Sequence, residues 1–183
     1  WWIGGGSLVG VVAVAAVVLL WGSGGDTPSP EVAEVPDTAA TQVTQAKQEL
    51  DANQAAAAAR LASRNLVRDF GEVENLQVSR KGAADFVSAA DTRAEEKLLA
   101  ELVRARPDYG FLGEEGGTQA KGDGIHRWIV DPLDGTTNFL HGLPHFAISI
   151  GLERNGEIVA GVVYEPLRDE LYCQVMKQLT GNA

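Results

Sequence analysis

The chain has 183 residues, room for one domain with additions, and its 45% hydrophobic and 22% charged content is ordinary for a globular protein. A formal net charge of −10 argues against nucleic acid as a partner, since a nucleic-acid footprint needs a basic patch. It leaves phosphate chemistry open, because a bound metal reverses the sign locally. The single cysteine, Cys173, excludes an internal disulfide framework and a zinc cluster, and His126, His141 and His145 lack metal-motif spacing and read as turn or surface residues.

Residues 1–22 differ from the rest. Ile3 to Leu20 carries no charge, and a helix of that length spans about 27 Å, close to the hydrocarbon thickness of a bilayer. Trp1, Trp2 and Trp21 bracket it as interfacial anchors do. The expectation is a single-pass transmembrane helix contacting the membrane through residues 3–20, with a buried core helix as the alternative. A signal peptide fits less well, since a basic n-region is missing. With Lys47 the nearest basic residue, no orientation follows from charge. Residues 23–41, rich in Gly, Pro, Asp and Glu, read as a flexible acidic linker.

The globular part is expected over 42–176, followed by a tail at 177–183. Residues 41–69 have the composition of a helix, which Gly71 is expected to stop. Val73, Leu76 and Val78 suggest a short strand within Glu72–Arg80, and Lys81-Gly82 a turn. Asp91 is expected to open or cap a helix over Thr92–Arg104, whose apolar face is Ala94, Leu98, Leu99 and Leu102, and Pro107 ends it. Tyr109–Leu112 reads as a strand. Glu114 and Glu115 follow at its end, where alternation sends neighbouring side chains to opposite faces, so that at most one enters a site.

The chain is organised around Trp128-Ile129-Val130-Asp131-Pro132-Leu133-Asp134-Gly135-Thr136-Thr137-Asn138-Phe139. Trp128 to Val130 read as a buried strand end, and Pro132 is expected to stop that strand and turn the chain. Gly135 permits close backbone approach, and the Thr136 and Thr137 hydroxyls suit a helix cap. Asp131 and Asp134 repel phosphate, whereas the start of a helix attracts it. A divalent cation reconciles the two: carboxylates hold the metal, and the metal with the backbone N–H groups holds the phosphate. Downstream, Phe146, Ile148, Ile150 and Leu152 alternate with small residues, Asn155-Gly156 signals a hairpin, Ile158–Tyr164 forms its return strand, and Leu171-Tyr172 begins another.

Asp131-Pro132-Leu133-Asp134-Gly135-Thr136-Thr137-Asn138-Phe139 closely resembles the signature of the inositol monophosphatase family. Lys81 with Asp85-Phe86-Val87-Ser88-Ala89-Ala90-Asp91 is similar to the family's Lys followed by Asp-Leu-Val-Thr-x-x-Asp, with one residue fewer between Lys and the first Asp. Gly113-Glu114-Glu115-Gly116 is similar to Gly-Glu-Glu-Ser, with glycine at 116 in place of serine. The resemblance covers roughly 45–172. It implies the N-terminal part of a layered α/β sugar-phosphatase fold and a magnesium-dependent phosphate monoester hydrolase. By resemblance, Glu114, Asp131, the Leu133 carbonyl and the Thr136 hydroxyl hold a first Mg2+, and Asp131 and Asp134 contribute to a second. Asp91, Glu114 and Thr136 activate water, and Asp134 with the Gly135 and Thr136 amides receives the phosphate. Gly-Thr-Thr-Asn-Phe favours inositol 1-phosphate over nucleotide bisphosphates, whose enzymes carry Lys for the second Thr. The family's downstream Trp-Asp-x-Ala-Ala-Gly motif, whose Asp completes the second metal set, does not occur before the chain ends. A protein partner or second copy covering that half is therefore expected. The alternative is a non-catalytic, membrane-anchored interaction subunit. The family's substrates imply a cytoplasmic phosphatase-like domain.

Overall fold

The structure is a computed structural model that describes residues 39–76 and 80–176, with the side chains of 74–83 outside the description. The expected transmembrane segment, nearly all of the linker and the tail at 177–183 lie outside the described residues. Among the described residues no helix is long and apolar enough to cross a membrane.

Helix α1 runs from Ala39 to Leu76, and α2 from Arg80 to Ala105. In α1 the buried positions Ala52, Ala55, Ala59, Ala62, Leu66, Asp69 and Val73 recur every three or four residues, so its four alanines form the close-packing part of one buried face. Gly71 does not stop α1. A Cβ there would meet open space, so its cost is the loss of helix propensity, about 1 kcal/mol, while Phe70 and Val73 beside it continue the packed face. The strand expected at Glu72–Arg80 is therefore absent over Glu72–Leu76, where α1 continues, and the turn expected at Lys81-Gly82 is the first turn of α2. Helix α2 buries Val87, Ala90, Ala94, Leu98 and Leu102 on helical spacing, and it ends before Pro107 as expected.

Six strands form one sheet in the order β2-β1-β3-β4-β5-β6: β1 (Gly110–Gly113), β2 (Gly117–Ala120), β3 (His126–Asp134), β4 (Ala147–Arg154), β5 (Glu157–Glu165) and β6 (Glu170–Val175). Every pairing is antiparallel except β1 with β3. Register puts Trp128 opposite Leu152 and Val130 opposite Ile150, and Ile150 in turn opposite Val162, so one face is a continuous apolar surface. Helices α1 and α2 cover that face, α1 over β4 to β6 and α2 over β1 and β3. The Arg60 guanidinium of α1 lies 4.9 Å from the Tyr164 ring of β5. Asp51 of α1, buried, accepts hydrogen bonds from Arg106 at 2.5 Å and from the Tyr109 hydroxyl at 2.8 Å, which ties α1 to the link between α2 and β1. Asn155 and Gly156 take φ of 53° and 85°, the two left-handed residues that a tight β4–β5 turn requires.

Strand β3 continues through Pro132 to Asp134. Proline is tolerated there because β1 pairs only as far as Val130, and the ladder to β4 is irregular between Asp131 and Asp134. A five-residue helix, α3 (Thr136–Leu140), follows at once.

Candidate functional site

The site lies at the C-terminal end of β3. Asp131 pairs across the ladder with Ser149, and Asp134 with Ala147. The slip between them lets the Leu133 N–H turn back to donate to Asp131 Oδ1 at 3.0 Å. The Thr136 hydroxyl donates to the Leu133 carbonyl at 2.9 Å. It therefore does not cap α3 as expected: Gly135 holds the N-cap position, with φ 97° and no side-chain cap bond. A Cβ at Gly135 would stand 3.0 Å from the His145 carbonyl oxygen, so both conformation and space demand glycine. Phe139 fastens α3 beneath, its ring 5.4 Å from Phe70 of α1 and 4.9 Å from Phe146. Asn138 donates to the His145 carbonyl at 2.8 Å.

Glu114 and Glu115 sit in the turn between β1 and β2. The Glu114 N–H donates to the Val130 carbonyl at 3.1 Å, which sets the turn beside Asp131. Strand alternation does not govern a turn, and the charges of both glutamates act on Asp91. Asp91 is not an N-cap. It lies in the middle of α2 on the same stripe as Val87, Ala94 and Leu98, 4% exposed, because the helix starts at Arg80. Its Oδ1 has no hydrogen-bond partner among the described residues. The Lys81 side chain is outside the description.

These acids crowd one another. Burial, followed by the charges of Glu114 and Asp134, pushes Asp131 up to about 8. Burial, followed by Glu115, Glu114 and Glu95, pushes Asp91 up to about 7. Burial and then Glu114 raise Asp134, against which the Ser149 hydroxyl acts. Burial, Glu114 and Glu95 raise Glu115. Among the described residues no three His, Cys, Asp or Glu side chains form a ready-made metal cage. The donor chemistry nevertheless suits a hard divalent cation. It offers three carboxylates, a carbonyl and a hydroxyl on adjoining segments, and the buried Asp91 Oδ1 has no donor among the described residues. A cation would offset both the burial and the mutual repulsion that raise these acids.

Two layers, helices on one face of a mixed sheet with acids gathered at the end of a central strand, define a layered α/β protein with an acidic site at a strand end. Residues 40–180 match the model of the inositol monophosphatase family, and the chain belongs to that family. The match runs beyond the 45–172 expected from motifs alone. The chain is 68% identical over 111 residues to the inositol-1-monophosphatase of Rhizobium meliloti, covering 61% of this chain and 42% of that protein. It is 49% identical over 117 residues to the Nus factor SuhB of Xylella fastidiosa, covering 63% and 41%. Among solved structures, the extragenic suppressor protein suhB of Bartonella henselae aligns with a TM-score of 0.59 at 52% identity, over 67% of this chain and 47% of that one. The chain thus spans less than half the length of these relatives.

The sequence assigned no role in the site to Glu95, Phe70 or Phe146, and it placed Asn138 in the motif without its bond to the His145 carbonyl. Phe146 alternates visibly in β4's approach. Glu95 had a signal as well, lying one helical turn from Asp91.

Proposed function

We propose that this chain carries the metal- and phosphate-binding part of a magnesium-dependent phosphate monoester hydrolase acting on inositol 1-phosphate. The observation that supports this most is the meeting of acids from three segments, Asp91 from α2, Glu114 from the β1–β2 turn, and Asp131 with Asp134 from β3, beside a backbone opened by Gly135. Mutual repulsion among buried carboxylates is costly unless a cation or a proton offsets it.

Glu114, Asp131, the Leu133 carbonyl and the Thr136 hydroxyl would hold one Mg2+, and Asp131 and Asp134 would share in holding a second. When bound, magnesium supplies Lewis acidity toward phosphoryl oxygens and acidifies water, the two aids that a slow phosphate monoester needs. Thr136 is already oriented by its bond to Leu133. Asp91, buried and raised by its acidic neighbours in the metal-free chain, would, with Glu114 and Thr136, orient and help deprotonate the attacking water. The Gly135 and Thr136 amides would receive the phosphate, which can approach the backbone closely because residue 135 has no side chain. Helix α3 is too short for a macrodipole to matter much, so these local N–H groups do the binding.

Phosphate release from inositol 1-phosphate, followed against magnesium concentration, tests the reading. Release that saturates with Mg2+ and vanishes in Asp131→Asn supports it; no release at saturating Mg2+ overturns it for this chain. A second reading, a non-catalytic interaction subunit, draws on relatives that carry the name Nus factor. Stable co-purification with a protein partner, without Mg2+ uptake or phosphate release, would favour it. Membrane attachment through residues 3–20, with the phosphatase-like domain cytoplasmic, is a separate proposal resting on that uncharged run. Release of the chain from membranes by a carbonate wash would remove it.

A further inference from the structure

Helix α2 sends a second acid under the site. Glu95, one turn beyond Asp91, is 2% exposed. Its Oε2 accepts the Glu115 N–H at 2.9 Å and its Oε1 accepts the Gly116 N–H at 2.8 Å, and the Gln119 side-chain amide also donates to Oε1. All three donors belong to the β1–β2 turn and its exit, the segment that carries Glu114. The glycines around the glutamate pair make this contact possible. A Cβ on Gly113 would run into the Glu95 carboxylate, and one on Gly116 would meet first the Gln119 side-chain amide that donates to Glu95 and then Glu95 Oε1 at 2.8 Å.

We infer that Glu95 is a positioning residue: its carboxylate, clipped to the Glu115 and Gly116 amides, fixes the β1–β2 turn so that Glu114 is presented to Asp131 and Asp134. Three donors around one buried carboxylate offset its desolvation, and hydrogen bonds to a charged acceptor are the stronger kind. The functional consequence rests on the proposed magnesium site, whereas the clip itself is independent of it. Partners that orient a ligating group typically change metal affinity by about 10–100-fold.

The test compares the full chain with Glu95→Gln and Glu95→Ala, metal-free, by site-resolved amide hydrogen exchange, and then titrates Mg2+ into the same samples by calorimetry. In Glu95→Ala, exchange at Glu115 and Gly116 is expected to quicken by about tenfold or more, while Ile150 and Val162 keep their protection. In Glu95→Gln, which retains one acceptor oxygen for Gly116 and Gln119, the Glu115 amide is expected to quicken alone. Mg2+ affinity falls by about 10–100-fold in the alanine variant. Unchanged exchange at both amides overturns the clip, and quickened exchange with unchanged Mg2+ affinity overturns the positioning role. If the unmodified chain takes up no Mg2+, the magnesium reading fails by itself, and the exchange comparison still decides whether Glu95 holds the turn. Should Glu95→Ala not fold, Glu95→Gln carries the comparison.

Discussion

Asp131 shows how one carboxyl links stability to chemistry. Its pKa in the fold, about 8, is above the ordinary value near 3.8, so between those two pH values the folded chain holds a proton that the unfolded chain has released. Stability therefore falls as pH rises through that window. Asp91, at about 7, adds to the loss in the same direction. In Asp131→Asn, which cannot ionise, the metal-free chain is expected to lose less stability between pH 5 and pH 8 than the unmodified chain, by on the order of 2 kcal/mol, read from urea unfolding at each pH. Equal slopes in the two proteins would remove the claim. Magnesium stabilises the ionised form, so saturating Mg2+ is expected to flatten the slope of the unmodified chain and leave that of Asp131→Asn nearly unchanged. The same substitution is expected to lower Mg2+-dependent phosphate release by about a hundredfold or more, because it removes a ligand shared between both proposed metal positions.

At the scale of elements, the turn from β3 into α3 shapes the proposed phosphate side of the site. Gly135→Ala puts a Cβ in left-handed backbone against the His145 carbonyl, and a destabilisation of about 1–3 kcal/mol is expected in thermal unfolding. Phe139→Ala empties the space between Phe70 and Phe146 and is expected to cost about 3–5 kcal/mol, so that α3 loosens and phosphate affinity falls with it. An unchanged unfolding midpoint in Phe139→Ala would show that the cluster does not hold α3. The motif from Asp131 to Phe139 was readable because each member is a chemically distinctive residue at a fixed offset, and Asn155-Gly156 because few turns accept two left-handed residues. Over Glu72–Leu76 the expected strand gives way to helix because Val73 and Leu76, three apart, also fit a helix, and one exposed glycine at 71 does not stop it. Asp91 was expected at a helix start because aspartate is a favoured N-cap, whereas the helix begins at Arg80 and buries Val87 and Ala90 ahead of it. Strand β2 has no apolar alternation to betray it, since Thr118 and Gln119 are exposed on an edge. Pro132 looked like a stop because a sequence does not show that the neighbouring strand has already ended.

For the whole molecule, the acids implicated in the site come from Asp91 to Asp134, a short part of the chain, and the remaining strands β4 to β6 with α1 hold that part in place. Ligand binding to this region therefore reports on the entire fold. At a Mg2+ concentration about a hundred times its Kd, the unfolding free energy is expected to rise by about 2.7 kcal/mol, with a matching rise in Tm. A Tm that ignores Mg2+ while Ca2+ or Mn2+ raises it would reassign the cation. The β4–β5 turn stands at the other end of the sheet from these acids: Arg154 pairs with His126, where β3 begins, and the Asn155 N–H donates to the Ile125 carbonyl at 2.8 Å. Gly156 has open space where a side chain would start. A short peptide handle grafted into that turn would let the chain be fixed to a sensor surface with its carboxylate end toward the bulk solution, leaving the cation and phosphate approach unobstructed.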